Sequence, residues 1–394
     1  MSTYLDHAAT TPILPAAREA MCEQLSVVGN PSSLHGPGRE ARRVVEESRE
    51  RIAGVVGARP SEIVFTSGGT EADNLAVHGA YVAARRAESR RRRVVVSAVE
   101  HHAVLDTAEH LAAEEGAELI LVAPGECGRV QVDDVRAAVE EAPGEVAVVS
   151  VMWANNEVGT VQEVAAMAGV VHEHGLTMHS DAVQALGHLP VDFAGSGLDL
   201  MSISAHKLGG PVGIGALVAK RDARVVPLTH GGGQERGIRS GTLDAPAIVG
   251  FTVALEHVVA HREQEAARVA ALRDRFLAGT QQLDLGIRVT GCWEVGDVET
   301  RLPGNAHITI PGCEGDSLLY LLDAAGVACS TGSACRAGVP QPSHVVLAMG
   351  RTEEEARGSL RLSFGRTSTD DDVDAALAAL PDAVARSRRA TGAA

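Results

Sequence analysis

Apolar residues recur along this chain with two alternating periods. Val44, Val45, Ile52, Val55 and Val56 fall at helical spacing, and residues 62–66 then form a short apolar run that ends in the turn Ser67-Gly68-Gly69-Thr70. Further short apolar runs at 94–97, 119–122, 146–151, 177–179 and 198–204 are separated by helix-length segments such as 71–84, 103–115 and 164–174. Strand, helix and strand repeated in this way predict an α/β fold, a mostly parallel sheet with helices on both faces. Beyond residue 250 the texture changes to a long helical stretch rich in Arg, Glu and Ala, residues 251–283. Strands at 307–310 and 359–364, with helices at 316–325 and from Asp370, then predict a smaller α+β domain. The expected division is a large domain over 15–250 and a small domain over 1–14 and 251–394, with the first dozen residues packed on the small domain or over the site.

Composition fits that picture. A chain of 394 residues, 45% hydrophobic, can bury a large core and has room for about two domains. Aromatic residues make up only 3%, so Ala, Val, Leu and Ile must build the core. The net charge of −16 works against a phosphate backbone as the main partner, so direct nucleic-acid binding is not expected. The one basic run, 90–93 with Arg85 and Arg86 before it, reads as a solvated loop rather than a docking patch. Six cysteines (Cys22, Cys127, Cys292, Cys313, Cys329 and Cys335) are scattered without a C-x-x-C pair, and no disulfide framework is expected. A reducing cytoplasm is the expected location, because residues 1–11 carry no leader pattern and no apolar run is long enough to span a membrane.

Chemistry concentrates at the ends of the predicted strands. Asp199-Leu-Met-Ser-Ile-Ser-Ala-His-Lys207 is an apolar strand that ends in Ser204, His206 and Lys207 and runs into a glycine-rich turn. A lysine there is poorly hydrated, which lowers its pKa and favours the neutral amine that attacks an aldehyde. A loop lysine with no chemical role is an equal reading when the residue is taken alone. Asp181, at the end of the preceding strand, would share a crevice with Lys207, and its carboxylate could keep a pyridine nitrogen protonated; a helix N-cap is the plainer reading. The Thr66-Ser-Gly-Gly-Thr70 turn before a helix suits one phosphate, without the pattern of a nucleotide triphosphate site. His101 could stack on an aromatic ring at the same sheet edge.

Taken together these residues resemble the cysteine desulfurases, the sulfur-mobilising branch of the fold-type I pyridoxal-phosphate enzymes related to class V aminotransferases. The likeness extends through Tyr4-Leu-Asp-His-Ala-Ala-Thr-Thr-Pro12, Gly29-Asn-Pro31, Asn155-Asn-Glu-Val-Gly159, His230-Gly-Gly-Gly-Gln-Glu-Arg236, Arg239-Ser-Gly-Thr242 and Ser330 to Cys335. The resemblance implies pyridoxal 5'-phosphate as cofactor, with Lys207 as the Schiff-base lysine and Asp181 on the pyridine nitrogen. It implies His101 stacked on the ring, Gln184 and Asn156 near the ring hydroxyl, and Gly69, Thr70, Ser204 and His206 at the phosphate. Thr242 is expected to reach the phosphate of a neighbouring subunit, which makes the expected assembly a homodimer. Asn30, Asn156 and Arg361 would hold the substrate carboxylate.

Cys329-Ser-Thr-Gly-Ser-Ala-Cys335-Arg-Ala-Gly338 distinguishes this branch from the aminotransferases, and Cys335 matches its nucleophile. The long spacing to Arg361 resembles the group with an extended loop that hands sulfur to protein acceptors. The implied reaction converts L-cysteine to L-alanine, Lys207 moving the Cα proton, Cys335 taking the sulfur as a persulfide and His101 serving as a proton acceptor. Cys329 reads as a buried small apolar residue, with a redox or relay role as the alternative. No metal of the protein's own is implied, although Cys335 could transiently ligate an iron–sulfur cluster held with a scaffold partner. A selenocysteine lyase, a class V aminotransferase and a catalytically silent scaffold are the competing expectations. The acceptor, an iron–sulfur scaffold, a tRNA or cofactor thiolation enzyme or a DNA-modification system, is not legible in the chain.

Overall fold

The computed structural model describes residues 3–332 and 341–392. Cys335 lies outside them. Among the described residues twelve strands form: β1 (Thr3–Tyr4), β2 (Ile63–Thr66), β3 (Arg93–Ser97), β4 (Glu118–Val122), β5 (Val146–Ser150), β6 (Met178–Asp181), β7 (Leu200–Ser204), β8 (Gly215–Ala219), β9 (Arg288–Val289), β10 (Asn305–Thr309), β11 (Val327–Ala328) and β12 (Ser359–Ser363).

Seven of them make one sheet in the order β2-β8-β7-β6-β5-β3-β4. Every neighbouring pair is parallel except the two made by β8, which runs against both β2 and β7. The central strands are buried along their whole length because helices cover both faces, with apolar residues in most positions and Ser150, His179 and Ser202 as buried polar exceptions. One face packs on Val45, Ile52, Phe193, Ile248 and Phe251, the other on Leu75, Ala76, Tyr81, Val104 and Leu111. The expected α/β architecture is therefore present. The strand β8 was not expected, since Gly209 to Gly215 reads as a glycine-rich turn. Five residues led by a glycine carry too little pattern to announce a strand, and β8 exists because the gap between β2 and β7 supplies hydrogen bonds on both sides.

A second core surrounds the antiparallel sheet β12-β10-β9, with Phe276, Ile308, Leu318, Leu360, Phe364 and Leu380 at its centre. The helix Ala245–Gln281 joins the two cores: Ile248, Phe251 and Leu255 belong to the first, and Val269, Phe276 and Leu277 to the second. The N-terminal segment returns to this second unit, with β1 parallel to β11 and His7 N donating to the Ser363 carbonyl. No helix among the described residues is long and apolar enough to cross a membrane.

Two readings of charge and sulfur need correction. In the basic run, Arg90 and Arg92 are exposed as expected, but Arg93 is 3% exposed inside β3. Its guanidinium reaches Glu141 at 2.7 Å and Glu118 at 3.4 Å, so the buried charge is paired. Cys127 and Cys292 are joined in a disulfide with Cα atoms 4.9 Å apart. A separation of 165 residues hides that pairing from any local reading.

Candidate active site

The parallel strands all point their carboxyl ends at one edge of the large sheet, and the predicted site residues gather there. Asp181 ends β6, Ser204 ends β7 with His206 and Lys207 just beyond, and Thr66 ends β2 ahead of the helix Gly69–Ala87. His101 and Asn156 lie past the ends of β3 and β5. This convergence follows from strand direction alone, which is why ligands of open α/β sheets bind at that edge.

Lys207 is held by the N-terminal segment. Its Nζ donates to the carbonyls of Ala8 and Ala9 at 2.5 and 2.7 Å. Burial, with help from Arg361, lowers its pKa to about 8, so a substantial neutral fraction exists near physiological pH. Asp181 is 5% exposed, accepts from Val183 N at 2.8 Å, and is pushed up by burial to about 6. A buried acid in this state is ready for a cationic partner that would hold it ionised.

Beneath Asp181 lies a buried polar layer that sequence reading missed. His179 shares its ring nitrogens with Ser150 Oγ and Ser202 Oγ, both at 2.9 Å, and its Nε2 is 3.6 Å from Asp73 Oδ1. Burial and the charge of Asp181 raise the Asp73 carboxyl well above its ordinary value. Glu100, fully buried, accepts from Ser97 Oγ and Met152 N at 2.6 Å and is pushed by burial up to about 8. His179 and Asp73 lie on the same strand and helix as the site residues, and alternation along β6 is the signal that could have found His179.

The turn before the helix Gly69–Ala87 is braced from a distant loop. Glu71 accepts from Ser67 N at 2.6 Å and pairs with Arg239 Nε at 2.9 Å. Glu71 and Arg239 are therefore further site-shaping residues, and their pairing had no signal beyond their motifs. The Ser204 hydroxyl is buried without a hydrogen-bond partner among the described residues. A Cβ on Gly69 would come within 2.8 Å of Val183 Cγ2. A glycine cradle at a helix N-terminus beside an unsatisfied buried hydroxyl fits a phosphate. His206, lowered to about 4 by burial, is neutral there and touches Thr10 Oγ1 at 3.3 Å. Thr70 is exposed at the same turn.

His101 caps the helix His102–Glu114 by accepting from Ala103 N at 3.1 Å and keeps an exposed face. Burial of its surroundings, then the charge of Lys207, lowers it to about 4, so it is neutral and can accept a proton. Gln184 turns its Nε2 to the Ala8 carbonyl at 2.9 Å. Arg361, 4% exposed on β12, donates to the Asn156 carbonyl at 2.9 Å and to Asp6 Oδ1 at 2.7 Å. Its Nε has no hydrogen-bond partner among the described residues. Asn30 and Thr242 are exposed, and Asn30 Oδ1 accepts from Ser32 N at 2.9 Å within its own loop. The site thus brings Lys207, Asp181, Ser204, His101, Asn156 and Arg361 to one edge and leaves Asn30 and Thr242 on the surface.

Comparison with known proteins adds the decisive observation: the class-V aminotransferase family matches residues 3–376. The chain belongs to that family. An IscS-like cysteine desulfurase of Mycobacterium tuberculosis is 56% identical over 388 residues, which covers 98% of this chain and 97% of that one. Among solved structures, a NifS-like protein superposes with a TM-score of 0.87 at 33% identity, covering 98% of this chain and 99% of its own. SspA, solved in complex with cysteine, gives a TM-score of 0.79 at 33% identity, with coverage of 93% and 100%. These neighbours bear out the fold-type I assignment and the place of this family member among the cysteine desulfurases.

Proposed function

We propose that this chain carries pyridoxal phosphate on Lys207 and takes sulfur from L-cysteine, releasing L-alanine and leaving a persulfide on Cys335. The observation that carries the reading is Lys207 itself, an amine lowered to about 8 beside the buried Asp181, in a chain whose relatives are cysteine desulfurases. The residues fit the cofactor: an unsatisfied Ser204 hydroxyl and the Gly69 cradle for the phosphate, an acid for the ring nitrogen, and His101 to lie against the ring. When bound, pyridoxal phosphate supplies the electron sink that lets the substrate's Cα proton leave.

Each residue then has a task. Arg361 and Asn156 orient the substrate carboxylate, with Asn30 completing the subsite. Lys207, as a neutral amine, takes and returns the Cα proton. Asp181 stays ionised against the cationic ring, and the protonated Glu100 beneath it adds no competing charge. Gln184 and Asn156 serve the ring hydroxyl, while Gly69, Thr70, Ser204 and His206 hold the phosphate. Cys335 attacks the substrate sulfur as a thiolate, its proton going to neutral His101. Burial pushes the Cys329 thiol up to about 12, which leaves it neutral and unsuited to that role.

The rest of the proposal concerns assembly and setting. The protein divides into a large domain, 15–250, and a small domain, 1–14 and 251–394, that carries the Cys335 segment. The exposed Thr242 completes the phosphate site of a second copy, so the working unit is a homodimer. Sulfur passes in the cytoplasm to an acceptor such as an iron–sulfur scaffold or a thiolation enzyme. The test compares two variants. Lys207→Ala should lose the absorbance of bound cofactor, whereas Cys335→Ser should keep it and lose alanine formation from cysteine. Full alanine production by the serine variant would refute the role of Cys335.

A further inference from the structure

The Cys127–Cys292 pair sits at the outer end of the seam between the two cores. Cys127 lies in a tight turn after β4, closed by Gly128 N donating to the Gly125 carbonyl at 2.8 Å, and Cys292 lies just past β9. One pair of residues fixes both. Thr160 Oγ1 donates to the Cys127 carbonyl at 2.6 Å, Arg301 Nη1 donates to the Cys292 carbonyl at 3.1 Å, and Thr160 and Arg301 are themselves bridged as antiparallel partners. The neighbouring glycines permit this closeness: both have positive φ, Gly128 at 78° and Gly291 at 79°. A Cβ would come within 3.2 Å of Thr160 Oγ1 at Gly128, and within 3.4 Å of Arg301 Nη1 at Gly291. The Cα separation of 4.9 Å is within the span of a disulfide.

From the cysteines the seam runs inward to the site. Val161 N donates to Thr300 O at 2.9 Å and Leu302 N to Gly159 O at 2.8 Å. Arg301 Nε donates to the Asn305 carbonyl at 3.0 Å, and Asn305 Nδ2 reaches the Asn156 carbonyl at 3.4 Å. That same carbonyl accepts from Arg361 Nη1 at 2.9 Å. Cys292 is exposed and Cys127 half-buried, so small reagents can reach the pair.

We infer that Cys127 and Cys292 form a reversible thiol–disulfide site, a latch whose closure fastens the seam and holds Arg361 in register for a substrate carboxylate. The inference about Arg361 rests on the desulfurase reading. The oxidant is a low-molecular-weight disulfide. One protein thiolate attacks it, forming a mixed disulfide and releasing one small thiolate. The second cysteine attacks the protein sulfur of that mixed disulfide and expels the other. Two electrons pass to the small disulfide, two protein thiols become one bond, and a dithiol reductant reverses the exchange. In a reducing compartment a bridge of this kind is transient and responsive rather than a permanent brace.

The test uses full-length, cofactor-loaded Cys335→Ser protein, so that the catalytic thiol does not react, treated with oxidised glutathione or with dithiothreitol. Peptide mapping should find Cys127 linked to Cys292 only after oxidation. The oxidised form should melt at least about 3 °C higher, because a closed loop this long restricts the unfolded chain. L-alanine, which carries the same carboxylate as the substrate but no thiol, should bind the oxidised form about five-fold more tightly by spectral titration. Neither shift should occur after Cys127→Ser is added. Absence of the linked peptide at every glutathione ratio would overturn the site, and a linked peptide with unchanged melting and alanine binding would overturn the latch. A protein that binds alanine in neither form would count against the desulfurase reading, while the linked peptide and the melting shift would still decide the latch.

Discussion

Arg361 reaches across the chain to Asp6, donating from Nη2 to the carboxylate at 2.7 Å, while its Nη1 holds the Asn156 carbonyl at 2.9 Å. The first segment of the sequence thereby orients a guanidinium placed 355 residues later. Two of its nitrogens are committed, and Nε is left without a partner among the described residues, in a site where a substrate carboxylate is expected.

Arg361→Lys retains charge but loses the planar fork, and should raise KM for cysteine about ten- to a hundred-fold with the bound-cofactor spectrum unchanged. Asp6→Asn should raise it less, about three- to ten-fold, since an amide can still accept one hydrogen bond. Steady-state alanine production measures both. An unaltered KM in Arg361→Lys would remove this residue from the substrate site.

Lys207 makes cofactor capture depend on pH. Its folded pKa is lowered to about 8, and only the neutral amine attacks an aldehyde. The neutral fraction grows as pH climbs through that value. Cofactor-stripped protein should therefore take up pyridoxal phosphate faster as pH rises, reaching half its limiting rate near 8, with absorbance following the uptake. A rate that stays flat across that interval would mean the lysine is not held as described.

Glu235 tests the scaffold behind the site. Arg49 grips it with two hydrogen bonds of 2.7 Å, and Phe65 N donates to it at 2.8 Å, tying the His230 to Arg236 segment to β2 and the helix Gly36–Val55. Both side chains are buried, at 9% and 1% exposure. Glu235→Ala leaves the buried Arg49 guanidinium with only the half-exposed Glu46 at 3.2 Å and the Ile63 carbonyl, and should cost about 3 kcal/mol in a denaturant titration. Glu40→Ala, on the exposed pair with Arg43, should leave the midpoint nearly where it was. Equal midpoints for the two variants would show that the Arg49 pair does not anchor this segment.

The alternation of apolar runs already specified the parallel sheet, because strands buried on both faces are mostly apolar and helices between them must keep a 3.6-residue period. Lys207, Asp181, Ser204 and the Gly69 turn were legible for a related reason. They stand at strand ends, and strand direction alone brings those ends together. The strand β8 was not legible, since a short glycine-led segment carries no period and its pairing comes from the neighbours β2 and β7.

What the sequence by itself determined was the set of chemical groups at the carboxyl edge and the family they belong to. Only the tertiary structure decided how those groups are tuned and held. Lys207 is lowered by burial under Ala8 and Ala9, Arg361 is aimed by Asp6, Asp181 is raised by burial, and Cys127 meets Cys292 across 165 residues. Burial and long-range contact are properties of the packed chain, and no local window of residues encodes them.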